Sequence, residues 1–202
     1  MKIISLSNSD AADEYLSDEI NKQLCNHILI SGGSSFIGVL KNLNQKGANF
    51  NFTLTDERDV QMSNQDSNIN SYKSLGLKNL SFIGFEISNK PQNTLNNFEK
   101  KLPNEFFNQA VLGVGEDGHI ASIFPNEHEI IIESKNSFYC RSNLHKHNRF
   151  SLKLNYILNS KMIILYFRGT KKIEAFNQFI NKMTYPLNQF YNNSNLLVIQ
   201  SH

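Results

Sequence analysis

The chain reads as an α/β protein, a three-layer arrangement in which a mostly parallel sheet carries helices on both faces. Three observations support this reading. Short apolar runs, fit for strands buried on both sides, recur along the 202 residues. Segments with apolar residues at helical spacing lie between them. Glycine- or serine-rich turns close several of the runs, and repeated strand–turn–helix units build parallel sheets.

Taken in order, residues 1–6 form an opening strand followed at once by polar residues, which does not read as a secretory signal. Residues 11–24 place Tyr15, Leu16, Ile20 and Leu24 at helical spacing, with Asp10 as the expected N-cap. His27–Ile30 is a buried strand that runs into Ser31-Gly32-Gly33-Ser34-Ser35, and residues 36–43 form the helix behind it. Phe50–Leu54 is the next strand, with Thr55-Asp56-Glu57-Arg58 as its loop. Residues 66–75 read as helix, 80–85 as strand and 94–102 as helix. Residues 110–114 are the strand before GVGEDGHIASIFP, residues 113–125, in which a short helical pattern follows the turn through Ile120, Ile123 and Phe124. Residues 138–141 and 149–154 are strands, the latter alternating Phe150, Leu152 and Leu154 with polar residues. Met162–Phe167 is a wholly apolar strand, residues 171–183 an amphipathic helix, and residues 196–199 the last strand. With no repeat or linker, residues 1–202 are expected to form one domain.

Composition narrows the class. Twenty Lys and Arg against eighteen Asp and Glu give a net charge of +2, too balanced for a nucleic-acid-binding stripe. The longest apolar run, Met162–Phe167, is far short of the ~20 residues a membrane helix needs. Cys25 and Cys140 lack metal-ligand spacing, so a reduced, cytoplasmic chain is expected.

Chemistry concentrates at four strand ends. The Gly32-Gly33-Ser34 turn permits close backbone approach, and amides that open a helix bind anions. In residues 55–58, Asp56 and Glu57 can orient a base or hold a hydroxyl, while Arg58 offers a planar fork to phosphate or carboxylate. At the tip of residues 113–125, His119 stands two residues after Asp117, an imidazole suited to general base catalysis near neutral pH. In Gly169-Thr170-Lys171-Lys172 a lysine can reach an anion, with Lys171 expected to face solvent. Each string alone fits a solvated turn. Four such sets at the ends of parallel strands converge on one crevice and favour a phosphorylated substrate. His145 and His147 flank Lys146 with no third ligand nearby in sequence, so no metal site is expected; His27 opens a strand, and His128 and His202 are expected at the surface.

The ordered set SGGSS, TDER, Asp66-Ser67-Asn68, GVGEDGHIASIFP, Arg149-Phe150-Ser151-Leu152 and Gly169-Thr170-Lys171-Lys172 closely resembles the 6-phosphogluconolactonases, from about Ile28 to Ile180. The resemblance implies a single-domain α/β hydrolase, sharing its fold with the glucosamine-6-phosphate deaminases, that opens 6-phospho-D-glucono-1,5-lactone without a cofactor or catalytic metal. It implies His119 as the base that activates water, with Asp117 beside it. Gly32, Gly33 and Ser34 would line the pocket with Asp56 and Arg58, and Arg149 and Lys172 would be the cations for the 6-phosphate. Ser67 and Asn68 match a pair that supports the site. A monomer that binds a small sugar phosphate, and neither nucleic acid nor membrane, is expected.

Two departures stand out: Ser35-Phe36 replaces the family's usual Thr-Pro, and Ile120 replaces a threonine. Two alternatives are weaker. Deaminases carry a carboxylate five residues after the histidine, where this chain has Phe124, and an Asp-Glu-Tyr loop where it has Asp56-Glu57-Arg58. Non-catalytic sugar-phosphate sensors usually place a helix-turn-helix before this domain and have no need of the histidine.

Overall fold

The computed structural model describes residues 1–22, 27–125, 129–141 and 145–202. The expectations for Leu24, Cys25 and His128 lie outside the described residues. The strands are β1 (Lys2–Leu6), β2 (His27–Ile30), β3 (Phe50–Leu54), β4 (Asp56–Arg58), β5 (Leu80–Ile83), β6 (Gln109–Gly113), β7 (Glu129–Glu133), β8 (Ser137–Arg141), β9 (Arg149–Leu152), β10 (Met162–Phe167) and β11 (Leu196–Ser201). The helices are α1 (Ser9–Asn21), α2 (Ile37–Gln45), α3 (Asn68–Lys73), α4 (Pro91–Glu99), α5 (Leu154–Leu158) and α6 (Ile173–Ile180).

Seven strands form a parallel sheet in the order β1-β11-β10-β6-β2-β3-β5. Successive side chains on a strand point to opposite faces, so an unbroken apolar strand feeds two cores. In β10, Ile164 and Tyr166 join α1, α2 and α3 through Leu16, Leu40 and Tyr72. Ile163, Leu165 and Phe167 face the other way, onto Leu95 and Phe98 of α4, Ile157 of α5 and Phe179 of α6. The α/β class with helices on both faces therefore holds.

Local chemistry explains the element ends. Helix α1 is capped by Asn8, whose side chain accepts from the Ala11 amide at 2.9 Å, rather than by Asp10, which falls inside the first turn. Helix α4 starts three residues early because Pro91, which lacks an N–H, suits the first helical turn. The expected helix over Ile120–Phe124 does not form. Ile120 instead makes bridges with Val114 and Ile123, and these apolar side chains are buried by a folded-back loop.

A second sheet, β4-β9-β8-β7, is antiparallel and was not anticipated. The expected loop 55–58 is the start of it. Chain direction carries straight on from β3, and Thr55 joins both sheets, donating its amide to Ile30 at 2.9 Å and accepting from Leu152 at 2.8 Å. Phe138, Tyr139, Phe150 and Leu152 of this sheet pack into the same apolar cluster as Leu112 and Leu165 of the first. Among the described residues no helix is long and apolar enough to cross a membrane.

Candidate active site

From β2 the chain moves outward to β3 and β5, then returns to lay β6 on the other side of β2, followed by β10 and β11. Connections leaving β2 and β6 diverge, and in open α/β sheets the crevice at such a reversal is the ligand site. The loops after β2, β6 and β10 bring their polar residues to it.

The turn after β6 builds the Asp117–His119 pair. Asp117 Oδ1 lies 2.6 Å from His119 Nδ1 and also accepts the His119 amide at 3.1 Å. Gly115 donates its amide to the His119 carbonyl at 2.9 Å. A Cβ on Gly115 would stand 2.1 Å from His119 Nδ1, so only glycine admits this pairing. Burial favours the neutral acid of Asp117, but the hydrogen bonds and charge of His119 outweigh it and hold the carboxyl at about 2. With Nδ1 engaged by the carboxylate, the remaining ring nitrogen of His119 is the one available to a reacting group. The ring packs against Phe124, centroids 5.2 Å apart.

The turn after β2 is held from below. The Tyr72 hydroxyl lies 2.8 Å from the Ser31 carbonyl and 2.9 Å from that of Gly33. Gly32 lies so close to Asn68 that a Cβ would fall 2.1 Å from its Cγ. Gly33 caps a 3-10 turn, Ser34–Phe36, and Ser34 is exposed.

Strand β4 separates two carboxylates that look equivalent in sequence. Glu57 is fully buried and accepts from the amides of Arg58, Asn68 and Ile69, at 2.8, 2.7 and 2.9 Å, and from the Ser67 hydroxyl at 3.1 Å. Burial raises its carboxyl against those backbone bonds. Glu57 thus anchors the first turn of α3, and both of its oxygens are taken up there. Asp56 accepts the Ser122 hydroxyl at 2.9 Å and lies 3.9 Å from the Arg149 guanidinium. Asn68 Nδ2 donates to the Asp56 carbonyl at 3.0 Å, so Ser67 and Asn68 tie α3 to β4.

The cations collect on the β4–β9 pair. Arg58 and Arg149 are direct antiparallel partners, so their side chains leave the same face. Like charges directly opposite are destabilising unless an anion or carboxylates lie between them. Arg58 donates to the Asp66 carbonyl at 2.6 Å, and its Nε and that of Arg149 are both buried without a protein partner. Burial lowers the basicity of Arg149, with Asp56 opposing and Arg58 reinforcing the shift. Lys172, in the 3-10 turn Thr170–Lys172, is half-buried and lowered by burial, an effect offset by Glu116 and Asp117; Lys171 is exposed, as expected. Arg58, Arg149 and Lys172 thus come from the second sheet and from the β10 turn.

Sequence reading missed four contributors. Ser122 and Ser151 underpin Asp56, with the Ser122 amide 3.2 Å from Ser151 Oγ. Tyr72 holds the β2 turn. His145, expected in a solvated loop, stacks on Phe124 at 4.4 Å and stands edge-on to His119 at 5.7 Å. Burial lowers its basicity, and Arg149 and His119 add to that. No local pattern marks these residues, because each acts across a sheet or between loops. His147 is held at 2.7 Å by Asp66.

Residues 6–198 match the family described as Glucosamine-6-phosphate isomerases/6-phosphogluconolactonase. This chain belongs to that family. The 6-phosphogluconolactonase of Helicobacter pylori is 31% identical over 172 residues, covering 79% of this chain and 74% of that protein. The glucosamine-6-phosphate deaminase of Clostridium acetobutylicum is 26% identical, covering 98% of this chain and 97% of its own length. Among solved structures, a 6-phosphogluconolactonase from Shewanella baltica superposes with a TM-score of 0.87 at 23% identity, covering 100% of this chain and 98% of that one. At that identity the likeness shows the fold, and the fold is the family's. In this chain the Asp117–His119 pair stands at the end of β6, Arg58 and Arg149 lie on the β4–β9 face, and Lys172 lies in the β10 turn.

Proposed function

We propose that the chain hydrolyses 6-phospho-D-glucono-1,5-lactone to 6-phospho-D-gluconate, with His119 as general base. The observation that carries the reading is the Asp117–His119 pair, 2.6 Å apart, at the strand-order reversal. A cross-strand pair of arginines with unpaired buried Nε atoms serves the same site. In this mechanism Arg58, Arg149 and Lys172 bind the phosphate, and the turn of Gly32, Gly33 and Ser34 lines the sugar side. A water molecule attacks the lactone carbonyl carbon while His119 takes its proton, and Asp117 fixes the tautomer and stabilises the imidazolium. The tetrahedral oxyanion is met by amides or cations already in place. When the ring C–O bond breaks, the imidazolium returns its proton to the leaving oxygen. Every side chain invoked comes from this chain, so a monomer of one domain suffices.

Deamination is the second reading, favoured by the Clostridium relative. Against it, the position five residues after His119 is Phe124, whose ring is buried against His145 and has no carboxylate to offer. The deciding experiment measures acid release from freshly made 6-phosphogluconolactone, corrected for spontaneous opening, beside ammonia release from glucosamine 6-phosphate. Lactone opening no faster than with an inert protein, or ammonia as the main product, would sink the lactonase reading.

A further inference from the structure

His145 has no part in that mechanism, yet it is placed as a functional group would be. Its Nε2 is buried and has no hydrogen-bond partner in the protein. A buried polar atom left unpaired costs stability, so such an atom beside a reactive pair points to a ligand. One donor atom each from Asp117, His119 and His145 lie within 4.8 Å of one another. Two imidazoles and a carboxylate with an open side form the three-ligand set that zinc accepts, its fourth position left to water or substrate. The nitrogen donors select zinc or cobalt over magnesium or calcium. A tetrahedral ion about 2.0–2.1 Å from each donor draws the three atoms to roughly 3.4 Å apart. His145 can supply that movement, because it sits in a bend between β8 and β9 rather than in a strand.

We propose that Asp117, His119 and His145 form a binding site for a divalent zinc-like ion that the hydrolytic chemistry does not need. The imidazoles bind as neutral ligands and Asp117 as the anion, and the proton of the Asp117–His119 hydrogen bond passes to solvent. A filled site occupies the base, so the ion inhibits. That last consequence rests on the lactonase reading; binding itself does not.

The test is calorimetric titration of the full chain with zinc chloride, repeated with cobalt chloride and followed by visible absorption, where tetrahedral cobalt gives intense bands. The expected result is one ion per chain. His145→Phe keeps the ring on Phe124 but removes the donor, and it should weaken binding by more than about tenfold. His147→Phe, in the same loop but paired to Asp66, should titrate like the parent. No saturable site, a His145→Phe protein that binds like the parent, or equal loss in His147→Phe would overturn the site. His145→Gln takes the place of His145→Phe if circular dichroism shows the latter unfolded. Neither readout uses the lactone, so failure here is distinct from failure of the lactonase assay. An active enzyme that saturating zinc leaves unslowed would overturn the inhibition alone.

Discussion

At the scale of single residues, a carboxylate hydrogen-bonded to an imidazole does two things at once. It selects which ring nitrogen carries the proton, and it stabilises the charge the ring acquires on taking another. His119→Ala should therefore lower kcat by roughly 10²–10⁴ while leaving the circular dichroism spectrum and phosphate binding intact. A folded variant with near-normal kcat would remove His119 as the base. In the proposed mechanism the arginines act on binding instead. Arg149→Met keeps the apolar stem but loses a charge-assisted contact worth about 1.5–3 kcal/mol. KM for the phosphorylated lactone should rise about 10–100-fold, with little change for unphosphorylated gluconolactone. Equal losses on both substrates would mean that Arg149 does not read phosphate.

At the scale of elements, β4 and α3 form a unit whose hinge is Glu57. Four donors converge on its carboxylate: the Arg58 amide on β4, the Asn68 and Ile69 amides at the start of α3, and the Ser67 hydroxyl. Glu57→Gln replaces one acceptor oxygen by a donor amide, so at least one N–H is left facing another. The expected cost is about 1–3 kcal/mol of stability, read by urea denaturation, together with a higher KM because Arg58 is carried on β4. Unchanged stability would show that the turn is held by Ser67 and Asn68 alone. This unit was half legible. The string TDER showed that acid and cation stand together after a strand, but which carboxylate serves the fold and which faces the site depends on alternation along a three-residue strand. That strand exists only because β9 lies beside it. The helix expected after His119 failed for a related reason: Ile120, Ile123 and Phe124 have helical spacing, and the same apolar spacing is satisfied by a loop folded onto the core.

At the scale of the whole molecule, charge placement sets the acid limit of stability. Asp117 and Asp66 are both held at about 2, Asp117 by His119 against its burial and Asp66 by hydrogen bonds from Lys146 and His147. Depressed folded-state values favour the ionised form, so these groups stabilise the fold above the ordinary carboxyl value of about 3.9 and lose that contribution as pH falls toward 2. Melting temperature should thus decline from about pH 4 downward. Asp117→Asn should make the decline shallower; an unaltered slope would show that the pair does not couple to folding.

The sequence by itself determined the layered α/β class, the buried strands and the polar ends where the chemistry gathers. Each of these is written in local terms: an apolar run, a helical period, a glycine where backbone must pass closely. Tertiary structure alone decided that β4 joins a second sheet, that Arg58 faces Arg149 across it, and that His145 comes to rest beside His119. Those facts depend on pairing between segments far apart in the chain. Such pairing is set by which arrangement buries the most apolar surface with its polar atoms satisfied, a property of the whole that no short stretch carries.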